Sequence, residues 1–187
     1  MAKTVDKKKI EKAVRMIIEA VGEDPEREGL KDTPNRVARM YEELTCGYNQ
    51  DPKDYLCRVF NQEGQEVVIE KNIDFASTCE HHLMPFFGHV LIAYIPQGKV
   101  VGLSKLGRLV DCYAKRFQMQ ERMTEQIAEA IYKELNAKGV LVIIEGEHTC
   151  MTARGIKKVG SKTQTIATRG DMSQDTIEHI LQIASIK

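Results

Sequence analysis

Phe87-Gly88-His89-Val90-Leu91-Ile92-Ala93-Tyr94-Ile95-Pro96-Gln97-Gly98-Lys99-Val100-Val101 is the stretch whose reading decides the fold. Residues 87–95 are rich in β-branched and aromatic side chains, which suit a pleated, half-buried surface better than a helix. Pro96-Gln97-Gly98 then breaks the run as a turn, and Val100-Val101 resumes extended chain. Upstream, Val67 to Ile73 has the same character, and no helical pattern separates the two runs. Strands in direct succession pair antiparallel through a tight connection, whereas parallel neighbours need a long crossover. The stretch therefore predicts an antiparallel sheet and an α+β fold, not a doubly wound parallel one.

Working outward, two helical patterns follow. Leu106, Leu109, Val110 and Tyr113 share one face, as do Met123, Ile127, Ile131 and Leu135, and Gly139 is read as the close of the second helix. Val140 to Glu145 reads as a buried strand, and Ser161 to Thr168 alternates in strand fashion. The order strand–strand–helix–helix–strand–strand is completed by a last helix, with Ser173 as its cap and Ile177, Ile180, Leu181 and Ala184 as its stripe. Toward the N-terminus, residues 5–21 predict a helix through Ile10, Ala13, Val14, Ile17, Ile18 and Val21, stopped by Gly22. A charged connection, residues 23–32, leads to a second helix. Thr33 is expected to cap it, Pro34 to take its first position and Gly47 to end it. Asp51-Pro52 is expected to open a short helix reaching Val59. The chain divides near Asn61-Gln62-Glu63-Gly64 into an N-terminal helical segment, 1–65, and a second unit, 66–187.

Composition narrows the function. Lys plus Arg and Asp plus Glu each number 27, so the formal charge is zero, which argues against a general nucleic-acid or membrane-surface binder but not against a local basic pocket. The longest apolar run, Val140 to Ile144, is far short of the ~20 residues of a membrane helix. The basic opening, MAKTVDKKKIEK, leads into an amphipathic helix rather than an apolar signal core, so a cytoplasmic location is expected. The five cysteines are scattered, unlike a secreted disulfide framework.

Chemistry concentrates in two clusters. Cys79-Glu80-His81-His82 contains a Cys-x2-His pair, a spacing that lets a thiolate and an imidazole converge on zinc. His148-Thr149-Cys150 follows the buried strand. If that strand persists, positions 148 and 150 face the same way. Together they offer two thiolates and three imidazoles, more than a catalytic zinc with three protein ligands requires, so metal plus acid–base groups is the expected site. The bland readings are a Cys79–Cys150 disulfide, weakened by a reducing compartment, and satisfied core histidines, weakened by the polarity of the cluster. Lys105 and Arg108, three apart at a helix start, suit phosphate oxygens, and Arg154 can join them, although a lone basic residue is ordinarily a solvated one. Gln120-Glu121-Arg122-Met123-Thr124 reads by itself as an ordinary helix entrance.

Taken together, TPNRVARMY (33–41), STCEHHLMPFFG (77–88), AYIPQGKVVGLSKLGRLVD (93–111), QERMTEQIA (120–128), EHTCMTARG (147–155) and SKTQT (161–165) resemble the GTP cyclohydrolase I family. The resemblance implies that Cys79, His82 and Cys150 hold Zn2+ with a position left for water, and that His81 and His148 are acid–base groups. It implies that Glu121 binds the guanine edge, and that Ser104, Lys105, Arg108 and Arg154 surround ribose and triphosphate. Ser104 would also help move protons, and Arg36 would reach a neighbouring subunit's triphosphate. The implied reaction opens GTP at C8, releases formate and forms 7,8-dihydroneopterin triphosphate, the first step of tetrahydrofolate and pterin biosynthesis. The implied fold is the tunnelling fold, assembled as a homodecamer of two pentameric rings with sites between subunits. Three rivals are a zinc nucleobase deaminase, a deazaguanine nitrile reductase of the same fold, and a non-enzymatic zinc-stabilised module. The first needs His-x-Glu and Cys-x2-Cys, and neither occurs.

Overall fold

A computed structural model describes residues 4–64 and 66–185. The N-terminal part is helical: α1 (Lys7–Ala20), α2 (Thr33–Leu44), a 3-10 turn (Cys46–Asn49) and α3 (Pro52–Leu56). Asp6 caps α1 by accepting from the Lys9 amide at 3.0 Å. The N-cap of α2 is Asp32, not Thr33. Thr33 has already entered the helix, and its hydroxyl donates back to the Gly29 carbonyl. Gly47 lies beyond the end of α2, inside the 3-10 turn, and serves close packing: a Cβ there would stand 2.4 Å from the Cys112 carbonyl oxygen. α3 stops at Leu56 because Val59 is already strand β1 (Val59–Asn61).

β2 (Val68–Cys79), β3 (Pro85–Ile95) and β4 (Lys99–Val101) follow, then α4 (Leu103–Ala114), β5 (Phe117–Gln118) and α5 (Gln120–Leu135). The chain finishes with β6 (Gly139–His148), the short α6 (Thr149–Thr152), β7 (Thr163–Gly170) and α7 (Gln174–Ser185). The main sheet has the order β5-β2-β3-β6-β7. Its ladders are antiparallel except for the two-residue pairing of β5 with β2. β1 pairs with β4 as a separate ribbon, tying residues 59–61 to the chain beyond 66. α5 is ended by Asn136 in the left-handed region, φ 49°, while Gly139 opens β6. The Ser173 hydroxyl accepts from the Thr176 amide at the start of α7, as a cap does.

Pleating assigns the two sheet faces. Phe86, Val90, Ile92 and Tyr94 of β3 and Val140, Val142 and Ile144 of β6 point to one side, where they pack with Leu106, Leu109, Met123, Ile127 and Ile131 of α4 and α5. On the other side Ala93 and Leu141 meet Ile180 of α7, with Leu91 and Ile143 alongside. A fully buried Leu, Ile or Phe contributes about 1.5–3 kcal/mol, so these two layers hold the sheet rigid. β2 runs on to Cys79, well past the expected end at Ile73, because Phe75, Ser77 and Cys79 keep turning to the α4–α5 side. That extension carries a thiol to the mouth of the helix-covered face.

Candidate active site

Three chain ends meet at that mouth. β2 ends at Cys79 and turns through residues 80–84, closed by the Leu83 amide on the Cys79 carbonyl (2.9 Å) and the Cys79 amide on the Met84 carbonyl (2.8 Å). β6 ends at His148, whose Cα pairs with that of Phe86. The chain does not continue extended to residue 150: α6 winds Cys150 back toward the sheet, pinned by the Thr149 hydroxyl on the Pro85 carbonyl at 2.6 Å. One ligand atom each from Cys79, His148 and Cys150 lie within 4.8 Å of one another. All cysteines are free thiols, so the disulfide reading of Cys79 and Cys150 does not hold.

The electrostatics suit a site rather than a core. Burial pushes the Cys150 thiol up, and the neighbouring Cys79 adds to it. Burial likewise lowers the His148 imidazole; Glu121 opposes this and His81 reinforces it, so both residues face His148 electrically. His81 Nδ1 stands 3.8 Å from Cys79 Sγ. His82 is exposed, and its Nε2 accepts from the Arg154 guanidinium at 2.7 Å. The trio gathered around the thiols thus contains His148, while His82 sits at the rim with Arg154. Glu80 pairs with Arg122, which holds its carboxyl below the ordinary range and ties the hairpin to α5.

Ligands ~2.0–2.3 Å from a tetrahedral zinc stand about 3.3–3.8 Å from one another, so a group already within 4.8 Å can close on one ion by side-chain rotation. The donor set, two sulfurs and imidazole, is one that zinc favours.

The remaining sequence candidates lie elsewhere in the single chain. Ser104, Lys105 and Arg108 occupy the first turns of α4 and make no hydrogen bond to the thiol group among the described residues; the charge of Arg108 is felt by Tyr55 of α3. Arg36, on α2, pairs with Asp32 at 3.6 Å. One residue of the site went unread in the sequence. Gln120, 1% exposed, places Oε1 2.9 Å from His148 Nε2. The signal was its spacing: Gln120, Met123, Thr124 and Ile127 form one buried stripe, which puts the first residue of α5 on the core side.

Residues 10–187 match the family profile GTP cyclohydrolase I. The chain belongs to the GTP cyclohydrolase I family. It is 64% identical over 167 residues to GTP cyclohydrolase 1 of Carboxydothermus hydrogenoformans, covering 89% of this chain and 87% of that one. Against GTP cyclohydrolase 1 of Clostridium kluyveri the identity is 60% over 166 residues, 89% and 90% of the two chains. The enzyme of Bacillus subtilis is 53% identical over 185 residues, covering 95% and 97%. Among solved structures, apo archaeosine synthase QueF-Like aligns with TM-score 0.49 and 20% identity over 60% of this chain and all of that one, too distant to bear on chemistry. In this family member, therefore, the metal-sized group of two cysteines and a histidine and the carboxylate of Glu121 belong to one mouth of the fold. No described helix is long and apolar enough to cross a membrane.

Proposed function

We propose that the protein is a cytoplasmic zinc-dependent hydrolase that opens the guanine ring of GTP at C8, releases formate and yields 7,8-dihydroneopterin triphosphate. The product would enter pterin and tetrahydrofolate synthesis. The observation that carries this reading is the convergence of Cys79, Cys150 and His148 beside Glu121, in a chain with family membership over residues 10–187.

Cys79 and Cys150 are the thiolate ligands. His82 is the third in this reading, as the family resemblance implies, and it would have to leave Arg154 to join the thiols. Using both imidazoles would fill four positions and give a closed, structural site. When bound, zinc supplies the Lewis acidity that makes water a nucleophile near neutral pH. His148, whose imidazole burial makes less basic, and His81 move protons to and from the purine nitrogens, a contribution of about 10²–10⁴-fold. Glu121 accepts from guanine N1–H and the 2-amino group. Adenine offers neither donor, and leaving such an acceptor unpaired discriminates by about 10⁴ or more.

Arg154, released from His82, joins Ser104, Lys105 and Arg108 around the ribose and triphosphate, and Arg36 reaches a neighbour's triphosphate. These groups come together between subunits of a homo-oligomer, a decamer in which sheets join edge to edge as a tunnelling fold. Edge strand β7 supports this: it is paired only with β6 in the sheet, so its other side offers backbone groups that a neighbouring strand could take up. Residues 66–187 form the catalytic unit and 1–65 the helical segment on it.

Incubation of the purified protein with GTP, followed for formate and a pterin chromophore, tests the assignment. Both should appear, both should stop with a zinc chelator, and both should return with zinc. GTP left intact by zinc-loaded protein overturns the reading.

A further inference from the structure

We propose that Gln120 is the positioning residue that holds His148 with its proton on Nε2 and its lone pair on Nδ1. This rests on the acid–base role given to His148 above. The argument is a count of hydrogens. The Gln120 amide nitrogen lies 3.0 Å from the Ile144 carbonyl, 2.9 Å from the Thr163 carbonyl and 3.1 Å from the Thr165 hydroxyl. Carbonyls only accept, so the amide cannot turn over without setting its oxygen against theirs.

The Thr165 hydroxyl gives no escape. Thr124 donates its one hydroxyl hydrogen to the main-chain carbonyl of Gln120 at 2.7 Å. The 2.7 Å contact between the two threonine hydroxyls must therefore be donated by Thr165, which has no hydrogen left for Gln120; the two amide hydrogens go to the two carbonyls, and the Thr165 oxygen can only share one of them. With the amide fixed, Oε1 faces His148 Nε2 at 2.9 Å and has only lone pairs to offer. Nε2 must carry the hydrogen, and in the neutral ring Nδ1 keeps the lone pair.

Packing keeps the arrangement. Phe86 lies flat against the imidazole, 4.6 Å between centroids and 5° between planes, so the ring plane is set independently of Gln120. Gly146 opens the space for the amide, since a Cβ there would stand 2.6 Å from Oε1. Gln120 touches none of the reacting atoms in this scheme; it acts through His148.

Solid-state 15N spectra of zinc-loaded, histidine-labelled protein at about pH 8, above the ordinary ~6.5 of histidine, read the tautomer directly. The His148 signals are assigned by their loss in His148→Ala. The wild type should show a protonated Nε2 and an unprotonated Nδ1. Gln120→Met keeps the bulk and removes the acceptor. It should lose that single-tautomer signature and lower kcat about 10–100-fold, with KM for GTP within about twofold and zinc content unchanged.

A proton on Nδ1 of the wild type overturns the proposal, as does a Gln120→Met protein with wild-type spectrum and kcat. Should Gln120→Met fail to fold, the wild-type tautomer still decides. A wild type that makes no formate sinks the reaction assignment without touching the spectrum, so the two failures are separable.

Discussion

Gly146→Ala tests the architecture of the site through a single methyl group. Gly146 sits on β6 with its Cα opposite that of Gly88, on the sheet face that α5 covers. An added Cβ would meet Gln120 Oε1 at 2.6 Å, well inside the 3.4 Å at which ordinary contact begins, and Phe75 Cζ at 3.5 Å closes another side. The oxygen has to give way, yet its amide is tied by its nitrogen to two carbonyls and a hydroxyl. Overpacking of this kind costs about 1–3 kcal/mol, and a buried imidazole N–H left unpaired costs about 1–3 kcal/mol more. A chain of this size loses about 2–4 °C of Tm per kcal/mol, so a drop of about 4–24 °C is expected. Formate release at a permissive temperature should fall about 10–100-fold as His148 loses its partner. Gly107→Ala is the control: a Cβ there meets nothing within 4 Å, and α4 should gain about 0.4–1 kcal/mol. Circular dichroism melts and a formate assay on both variants decide it. Wild-type Tm and rate in Gly146→Ala would refute the packing account.

Three other outcomes are expected. His82→Ala should lose zinc and turnover together, whereas His148→Ala should keep zinc and lose formate release; zinc analysis with the reverse pattern would move the third ligand to His148. Glu121→Ala should weaken GTP binding and relax discrimination against ATP, read by equilibrium binding of both nucleotides. Lys162 and Gln164 hold the Glu145 carboxyl below the ordinary carboxylate range. Its folded value is depressed, so the stability it adds is present above the unfolded ~4.3 and is lost as pH falls through the folded value. Lys162→Met should flatten that acid limb of the melting curve, and an unchanged limb would contradict the pairing.

Periodicity and punctuation were enough for the order of the long strands and helices, because each side chain that faces a core repeats at the spacing of its own element; the short β1, β5 and α6 carry no such repeat. Boundaries were less legible. The polar run Asp74, Ser77 and Thr78 hides the continuation of β2, since Ser77 is polar yet buried, with its hydroxyl on the Ala114 carbonyl at 2.6 Å. Thr33 has the chemistry of a cap but is the first helical residue; Asp32 takes the cap position without a side-chain hydrogen bond. At the site, the two motifs named the residue types, thiols and imidazoles, that the fold gathers into one group. The sequence argument for Cys150, an extended strand past His148, was replaced by a turn of helix that brings the thiol to Cys79 by another route.

By itself the sequence determined the fold class, the order of elements, the residue types that carry the chemistry, and family membership, all of which are written in local pattern. Tertiary structure alone decided which imidazole stands next to the paired thiols, that Arg154 holds His82, and that Gln120 lies in the core against His148. The reason is distance along the chain: Cys79 and Cys150 approach only because β2, β3 and β6 are laid side by side in register. Nothing in the spacing of two separated motifs encodes the turn, rotamer and hydrogen-bond partner that set which atoms finally meet.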